Sequence, residues 1–347
     1  MHIPEKAMRF IKSRAFLLTV LLVFMVIFFW YYSPRNSYLR ITNIVLILNS
    51  MVLFIPLAVA VSFPILLGEF DLSPGFIGTA AGTVLATILH ETSIPWFFAV
   101  IICLMLGAAF GLVNAVLVNK FQIQSFIATL AVGSFIARGI SLIVPSGRTL
   151  RIDHPVFDWM GDARIWGSIP ITVIISLIVI IVYGTILAKT KFGRSVYLCG
   201  GNRKAARLAG LNPKMLSYIV FANSGMLGAL AGILLAARIK TGNLDGTNAY
   251  VFSTVTAAIF GGISFGGGSG NMLGCFIGLL VLGGFTNGLQ IMRYSTHWQT
   301  IAAGALLLFA LSFDYFSKRR TIKLEIKKVS KSTEKAAGDA QSDEVGG

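Results

Sequence analysis

Long apolar runs alternate with short polar or Gly/Pro-rich segments along most of the chain. Many of these runs approach the ~20 residues that an α-helix needs to cross ~30 Å of hydrocarbon. They are continuous, whereas the strands of a membrane β-barrel alternate between apolar and polar residues. The pattern predicts an all-α, polytopic membrane helical bundle of about ten transmembrane helices, near residues 15–32, 41–67, 73–90, 95–119, 124–144, 169–188, 214–237, 249–263, 271–291 and 298–316.

Basic residues are unevenly distributed between the segments that connect these spans. With the N-terminus inside, the inside segments carry 20 of the 29 Lys and Arg residues, and the outside segments carry eight. The positive-inside rule therefore predicts that both termini are cytoplasmic. We expect a cytoplasmic N-terminus (1–14), a transmembrane domain (15–316) and a basic, disordered cytoplasmic tail (317–347).

Composition supports a protein of the cell (inner) membrane and argues against several other classes. The chain is 55% apolar and 12% charged, against about 25% charged residues in soluble domains. Its net charge of +15 follows from the basic inside segments and tail, so no nucleic-acid partner is needed. The first apolar run ends in three aromatic residues and has no small-residue cleavage site. This predicts a retained span rather than a signal peptide.

No motif for covalent chemistry stands out in the sequence. No G-x-x-x-x-G-K-[ST] loop is present, and the three cysteines show neither metal-ligand spacing nor a disulfide framework. We interpret the cysteines as packing residues. The four histidines also lack metal-ligand spacing, so we expect no enzyme activity, no metal and no cofactor in this chain. The residues concerned are Cys103, Cys199, Cys275, His2, His90, His154 and His297.

Two glycine-containing segments interrupt the apolar pattern, "GEFDLSPGFIG" (68–78) and "GGISFGGGSGN" (261–271). In the first, Ser73 and Pro74 match the N-cap and first position of a helix, and Asp71 could satisfy the same exposed amides. Alternatively, Glu69 and Asp71 line a pathway, because charges near a membrane helix break are costly unless they face water. One such segment in each half of the chain is typical of transporters built from repeats.

Pairs of small residues four positions apart recur inside the predicted spans. Small residues at this spacing share one helix face and allow two backbones to approach closely. We therefore expect either tight helix packing or surfaces that slide during function. The glycines concerned are Gly78 and Gly82, Gly107 and Gly111, Gly228 and Gly232, and Gly270, Gly274 and Gly278.

The segment 189–214 carries seven Lys or Arg residues and no acidic residue. Asn202 is suited to cap a short helix over "RKAARLA", and Gly210 is suited to end it. We expect one face to carry apolar residues and the other basic ones: Ala205, Ala206, Leu208 and Ala209 against Arg203, Lys204 and Arg207. A helix this short is marginal by itself in water. Two interpretations remain open: a loop that binds lipid headgroups, or a docking helix for a cytoplasmic partner.

Four stretches resemble, in the same order, segments of the permeases of ribose-type ABC sugar importers. The resemblance covers roughly residues 41–316, with Glu69 where that family usually has glycine and Pro74 at a usually apolar position. The four stretches are "GEFDLSPG", "SFIATLAVGSFIARGISLIVPSGRTL", "TKFGRSVYLCGGNRKAARLAGLN" and "TAAIFGGISFGGGSGNMLGCFIGLLVLGGFTNGLQI".

This resemblance implies a permease subunit that imports a monosaccharide or a related polar solute. A separate ATPase would bind ATP and Mg²⁺, an extracytoplasmic solute-binding protein would deliver the solute, and a second permease protomer would complete a homo- or heterodimer. Nucleosides and branched-chain amino acids are alternative substrates. The cytoplasmic coupling segment (189–214) would contact the ATPase, and its candidate residues are Gly193, Arg194, Gly201, Asn202, Ala205, Ala206 and Gly210.

Several polar residues within or near the spans are candidates for the translocation pathway. A sugar pathway needs polar side chains, but amides inside membrane helices also form helix–helix hydrogen bonds, and Arg138 could instead snorkel to the surface. An ion-coupled secondary transporter is the rival hypothesis, although Arg138 is the only charge that the sequence places firmly within a span. The candidates are Asp71, Asn114, Arg138, Asn287 and Gln299.

Overall fold

The computed structural model describes residues 14–295, 297–299, 301, 304, 305, 308 and 312. The chain divides into a large unit, Met1–Leu307, and a small one, Leu308–Gly347. Of the small unit only two helical residues are described. The predicted N-terminus and tail lie outside the described residues, and the tenth predicted span lies largely outside them. The fold below is that of the large unit.

Helices make up most of the described chain. Two pairs of two-residue strands occur outside them: β1 (Leu150–Arg151) with β4 (Thr241–Gly242), and β2 (Arg164–Ile165) with β3 (Ile169–Pro170). The helices are α1 (Arg14–Tyr32), α2 (Ile41–Leu66), α3 (Pro74–Glu91), α4 (Trp96–Asn119), α5 (Ser125–Ile143), α6 (Pro155–Asp162), α7 (Ile171–Lys189), α8 (Lys191–Gly201), α9 (Arg203–Leu208), α10 (Pro213–Ile239), α11 (Val251–Phe260) and α12 (Met272–Ile291).

Nine of the predicted spans coincide with these helices, and six described helices are long and apolar enough to cross a membrane: α2, α4, α5, α7, α10 and α12. The helix in the predicted span at 249–263 is the shortest of the nine. This helix, α11, has 10 residues and a length of about 15 Å, because glycines 261 and 262 end it early. The chain is a polytopic helical membrane protein, while the count of ten remains a prediction.

Helix α10 lies at the centre of the bundle, where it packs against α2, α3 and α4. Glycines make this packing close. A Cβ atom at Gly228 would lie 2.8 Å from the Cα of Pro74, and one at Gly107 would lie 2.7 Å from the Cβ of Ala229. The predicted close packing at the small-residue pairs is therefore confirmed in α3, α4 and α10. Gly270 differs, because it lies in the loop before α12 with a φ of +140°.

The connections between helices gather at two ends of the bundle. At one end, the segments 67–73, 189–213 and 261–271 contact one another, and the connection 120–124 lies beside them; we call this the basic end. At the opposite end, β1 pairs with β4, and Arg148 forms an ion pair with Glu91. Consecutive helices that cross a membrane in alternating directions place their connections at alternate ends of the bundle, as observed here. That the basic end is cytoplasmic remains a prediction from the positive-inside rule.

Candidate functional site

A break in the helical path, residues 67–73, separates α2 from α3 at the basic end. Gly68 adopts a φ of +81°, and the Glu69 amide donates to the Pro64 carbonyl, so α2 closes with a left-handed glycine. Pro74 occupies the first turn of α3, as predicted. Ser73 occupies the N-cap position, as predicted, but its side chain makes no capping hydrogen bond.

Asp71 organises the break. Its Oδ1 atom accepts hydrogen bonds from the Ser73 amide at 2.9 Å and from the Ser73 hydroxyl at 2.6 Å. Its Oδ2 atom accepts one at 2.8 Å from the hydroxyl of Ser224, which lies in α10. Asn114 of α4 donates its side-chain amide to Ser73 Oγ at 2.8 Å. Residues from the break and from two packed helices thus form one polar cluster.

The cluster is closed to solvent and lacks a positive charge. Asp71 is 1% exposed and the other three residues are fully buried. No ion pair of the described residues includes Asp71, and the Oδ1 atom of Asn114 is buried without a hydrogen-bond partner. Buried carboxylates and orphan acceptors are unfavourable unless a ligand, a proton or water compensates them at some stage. Such groups are typical of functional sites.

Helix α5 holds the backbone of the same break. The Ser125 hydroxyl accepts a hydrogen bond from the Phe70 amide at 2.9 Å. The Thr129 hydroxyl accepts one from the Leu72 amide at 3.1 Å and donates to the Phe70 carbonyl at 3.2 Å. These contacts satisfy backbone groups that a helix would otherwise pair internally. Sequence reasoning missed Ser125, Thr129 and Ser224, because isolated hydroxyl residues in apolar runs carry no pattern.

The C-terminal end of α8 contacts both interruptions of the membrane helices. A Cβ atom at Gly200 would overlap the Leu66 carbonyl oxygen and would lie 2.8 Å from the Gly268 amide nitrogen. That amide donates a 2.8 Å hydrogen bond to the Leu66 carbonyl. The Tyr197 hydroxyl donates to the Gly270 carbonyl at 2.6 Å. We call this meeting of residues 66–69, 197–203 and 267–270 the glycine joint.

An ion pair joins α9 to the first break. The Arg203 guanidinium contacts the Glu69 carboxylate, and only one residue separates Glu69 from Asp71 in the sequence. The side chain of Glu69 is 10% exposed and that of Arg203 is 45% exposed. Partial burial strengthens the attraction relative to a fully solvated pair. The basic segment is therefore attached, by charge and by backbone contact, to the break that carries Asp71.

The predicted mini-helix exists within the segment 189–214. The Asn202 side chain accepts hydrogen bonds from the amides of Lys204 and Ala205, each at 3.0 Å, and so caps α9. Gly210 follows the helix with a φ of +79°. In α8, Gly193 packs against the Leu187 carbonyl, while Arg194 is exposed. Both capping predictions are confirmed.

The faces of α9 differ from the prediction that Ala205, Ala206, Leu208 and Ala209 share one face. Ala206 is 3% exposed and packs inward, whereas Leu208 is 91% exposed. A helix turns about 100° per residue, so positions 205, 208 and 209 share a face from which position 206 is displaced. Ala205 is exposed, as this geometry requires. Leu208 is therefore the large apolar side chain that α9 exposes at its surface.

The candidate pathway residues fall in different places. Asp71 and Asn114 meet in the buried cluster, but the other three do not join them. Arg138 forms an ion pair with Asp245 at the opposite end and donates to the Leu244 carbonyl. The Oδ1 atom of Asn287 accepts a 3.0 Å hydrogen bond from the Asn43 amide. Gln299 donates to the Tyr294 carbonyl at 3.4 Å.

Comparison with known proteins identifies the family. Residues 43–311 match the family described as "Branched-chain amino acid transport system / permease component". Ribose import permease protein RbsC from Haemophilus influenzae is 31% identical over 311 residues, 88% of this chain and 94% of the relative. The Escherichia coli K12 protein of that name is 33% identical over 282 residues, 80% of this chain and 87% of the relative.

A third relative is the L-arabinose ABC transporter permease protein AraH from Azospirillum brasilense. It is 31% identical over 308 residues, 88% of this chain and 90% of the relative. No solved structure matches the chain significantly. The chain belongs to the permease family that these matches define. It is a multi-pass inner-membrane permease subunit of an ABC importer, a class that works with an ATPase and a solute-binding protein.

Proposed function

We propose that this subunit forms the import pathway for a monosaccharide or a related polar solute. The names of its relatives support this substrate class, since they specify ribose and L-arabinose. The family description specifies branched-chain amino acids, which are the alternative to test alongside nucleosides. A second permease protomer, identical or closely related, completes the pathway. The partner ATPase binds ATP and Mg²⁺, and this chain catalyses no covalent step.

The glycine joint carries the mechanistic part of the proposal. Helices α8 and α9 form the coupling segment, and Leu208 is the apolar side chain that enters a groove of the ATPase. A displacement of α9 acts directly on the first break, because Arg203 is ion-paired with Glu69. A displacement of α8, which precedes α9 directly in the chain, acts on the second break, because Gly200 packs against Gly268. One movement at the basic end thus reaches both interruptions of the membrane helices.

The Asp71 cluster is the part of the pathway that this movement opens. In the closed arrangement, Ser73 and Ser224 donate to the Asp71 carboxylate and keep it buried. When the break shifts relative to α10, the carboxylate and the Asn114 Oδ1 atom become available as acceptors for solute hydroxyl groups. Few, separable hydrogen bonds suit a transport site, because the solute must also leave.

Reconstitution in proteoliposomes tests the proposal. The permease, its ATPase and its solute-binding protein are assembled, and uptake of ribose, L-arabinose, leucine and adenosine is measured with and without ATP. Uptake of a sugar that requires both ATP and the binding protein is the expected result. Uptake of leucine or adenosine alone would reassign the substrate. Uptake driven by a proton or sodium gradient without the ATPase would contradict the proposal and favour a secondary carrier.

A further inference from the structure

A polar cleft lies at the basic end, between the connection from α4 to α5 and the start of α10. Its volume is about 950 Å³, within the range of about 300–1,000 Å³ that is usual for small-ligand sites. Four basic side chains line it, and Glu69 is the single acidic residue among the described lining residues. The four basic residues are Lys120, Arg203, Arg207 and Lys214.

The cleft keeps a positive charge after its internal ion pair is counted. Glu69 is paired with Arg203. Lys120, Arg207 and Lys214 form no ion pair with a carboxylate of the described chain. Three cations that line one cleft without a counter-charge repel one another. An anion in the cleft would remove this repulsion.

Two long helices add to this positive potential. Ser125 begins α5 and Pro213 begins α10, and both residues line the cleft. The N-terminus of a helix carries a partial positive charge, which favours anions, although the Asn212 side chain already accepts from the Met215 amide at the start of α10. Gln124 also lines the cleft and contributes a further side-chain amide, while the Gln122 amide donates to the Asn119 carbonyl at 2.7 Å. Side-chain charge and helix direction therefore favour the same kind of ligand.

We propose that this cleft binds a phosphate group, carried either by an anionic lipid headgroup or by a free phosphorylated metabolite. Arg207 offers the planar fork that matches phosphate oxygens, and the two lysines add point charges. The concave shape and size suit a headgroup or a small molecule better than a protein surface. Phe121 and Phe126, which adjoin lining residues in the sequence, are 61% and 43% exposed, so acyl chains have apolar side chains to contact.

The test uses the purified full-length permease after delipidation in detergent. Native mass spectrometry measures retention of phosphatidylglycerol against phosphatidylcholine, and titration calorimetry measures binding of inorganic phosphate and of glucose 6-phosphate. The cleft variant is Lys120→Gln with Lys214→Gln. The control variant is Lys189→Gln with Lys191→Gln, which removes two exposed basic charges from the same end but outside the cleft. Neither measurement requires the ATPase or a transported solute.

We expect the cleft variant to weaken binding of at least one phosphate probe by roughly 10-fold, while the control stays close to the unmodified protein. An effect confined to phosphatidylglycerol identifies a lipid site, and an effect on the free phosphates identifies a metabolite site. Equal losses in both variants would overturn the proposal, because they would reflect general surface charge. Absence of binding by every phosphate probe would also overturn the proposal. If the cleft variant then failed to co-purify with the ATPase, the cleft would be assigned to a protein contact instead.

Discussion

Glu69 and Arg203, 134 positions apart in the sequence, form an ion pair at the basic end of the bundle. Glu69 belongs to the break between α2 and α3, and Arg203 begins α9. The pair therefore joins the break between two apolar helices to the short helix α9. Asp71 lies two residues after Glu69 in the same break. A displacement of α9 that moves Glu69 would therefore also move the backbone beside the buried polar cluster.

We predict that Glu69→Gln and Arg203→Gln each reduce ATP-driven uptake about 10-fold, with little effect on the amount of permease in the membrane. A partly exposed ion pair contributes only about 0–1 kcal/mol to stability, so a loss of uptake would reflect coupling. The double variant should be no worse than either single variant, because both remove the same contact. Additive losses would show that the two residues act separately.

Ser224→Ala tests the Asp71 cluster, because it removes the single contact between the Asp71 carboxylate and α10. We expect a stability loss of about 1–3 kcal/mol and a change in the apparent affinity for solute in uptake assays. The control is Ser176→Ala, since Ser176 is also fully buried and its hydroxyl donates to the Val52 carbonyl at 2.6 Å. If both variants changed transport equally, the effect of Ser224→Ala would be explained by helix packing and not by a role of Ser224 in the pathway.

Asp71→Asn probes the carboxylate itself. The asparagine side chain has one acceptor oxygen where aspartate has two, so Ser73 and Ser224 can no longer donate to two separate oxygens, and one of these hydroxyls must instead accept from the new amide. We predict that uptake falls at least about 10-fold and that the protein still assembles in the membrane, because a buried charge has been removed. Wild-type uptake in this variant would exclude a role for Asp71 in the pathway.

Adjacent glycines at the end of α8 provide a matched pair of variants. A Cβ atom at Gly200 would overlap the Leu66 carbonyl, whereas one at Gly201 would have no neighbour within 4 Å. We predict that Gly200→Ala separates α8 from the breaks and abolishes substrate-stimulated ATP hydrolysis. Gly201→Ala should behave as the unmodified protein. Similar behaviour of the two variants would show that close contact at the glycine joint is not needed.

Leu208→Glu tests the docking face of α9. Leu208 is 91% exposed, so a carboxylate there should leave the permease folded while preventing entry into an apolar groove. We expect loss of ATPase co-purification and of uptake. Ala206→Glu should instead lower the yield of folded permease, because Ala206 is buried. Full ATPase binding by Leu208→Glu would exclude Leu208 as the docking contact.

Cysteine labelling in a variant that lacks the three native cysteines tests the orientation. Lys204, at the basic end, and Trp166, in the connection between β2 and β3, are both exposed. We predict that a membrane-impermeant thiol reagent added to intact cells labels Trp166→Cys and not Lys204→Cys. Disruption of the membrane should make Lys204→Cys reactive. The reverse pattern would invert the topology and place the segment 189–214 outside the cell.

The sequence alone determined the apolar helices and their order, but not the short helices α6 and α8. Apolar runs of sufficient length specify membrane helices because an unpaired backbone cannot lie in hydrocarbon. Local signals were also informative. Asn202 caps the start of α9 with its side chain, and Gly210 follows the end of the helix in a left-handed conformation, as the sequence predicts. In the segment 249–263 the apolar run extends to Ile263, but the glycines at 261 and 262 end the helix at Phe260. The four stretches that resemble known permeases indicated the protein class before any contact was considered.

Only the tertiary structure decided which distant residues meet. In the sequence, Asp71 and Asn114 are separate polar residues, and the fold brings them together through Ser73. Arg138 is a third polar residue within the spans, and the fold places it with Asp245 at the opposite end. Hydropathy indicates which segments can lie in the hydrocarbon of the membrane, but it does not specify which helix a given face contacts. That choice depends on complementary packing between helices, here set by glycines whose partners are far away in the sequence.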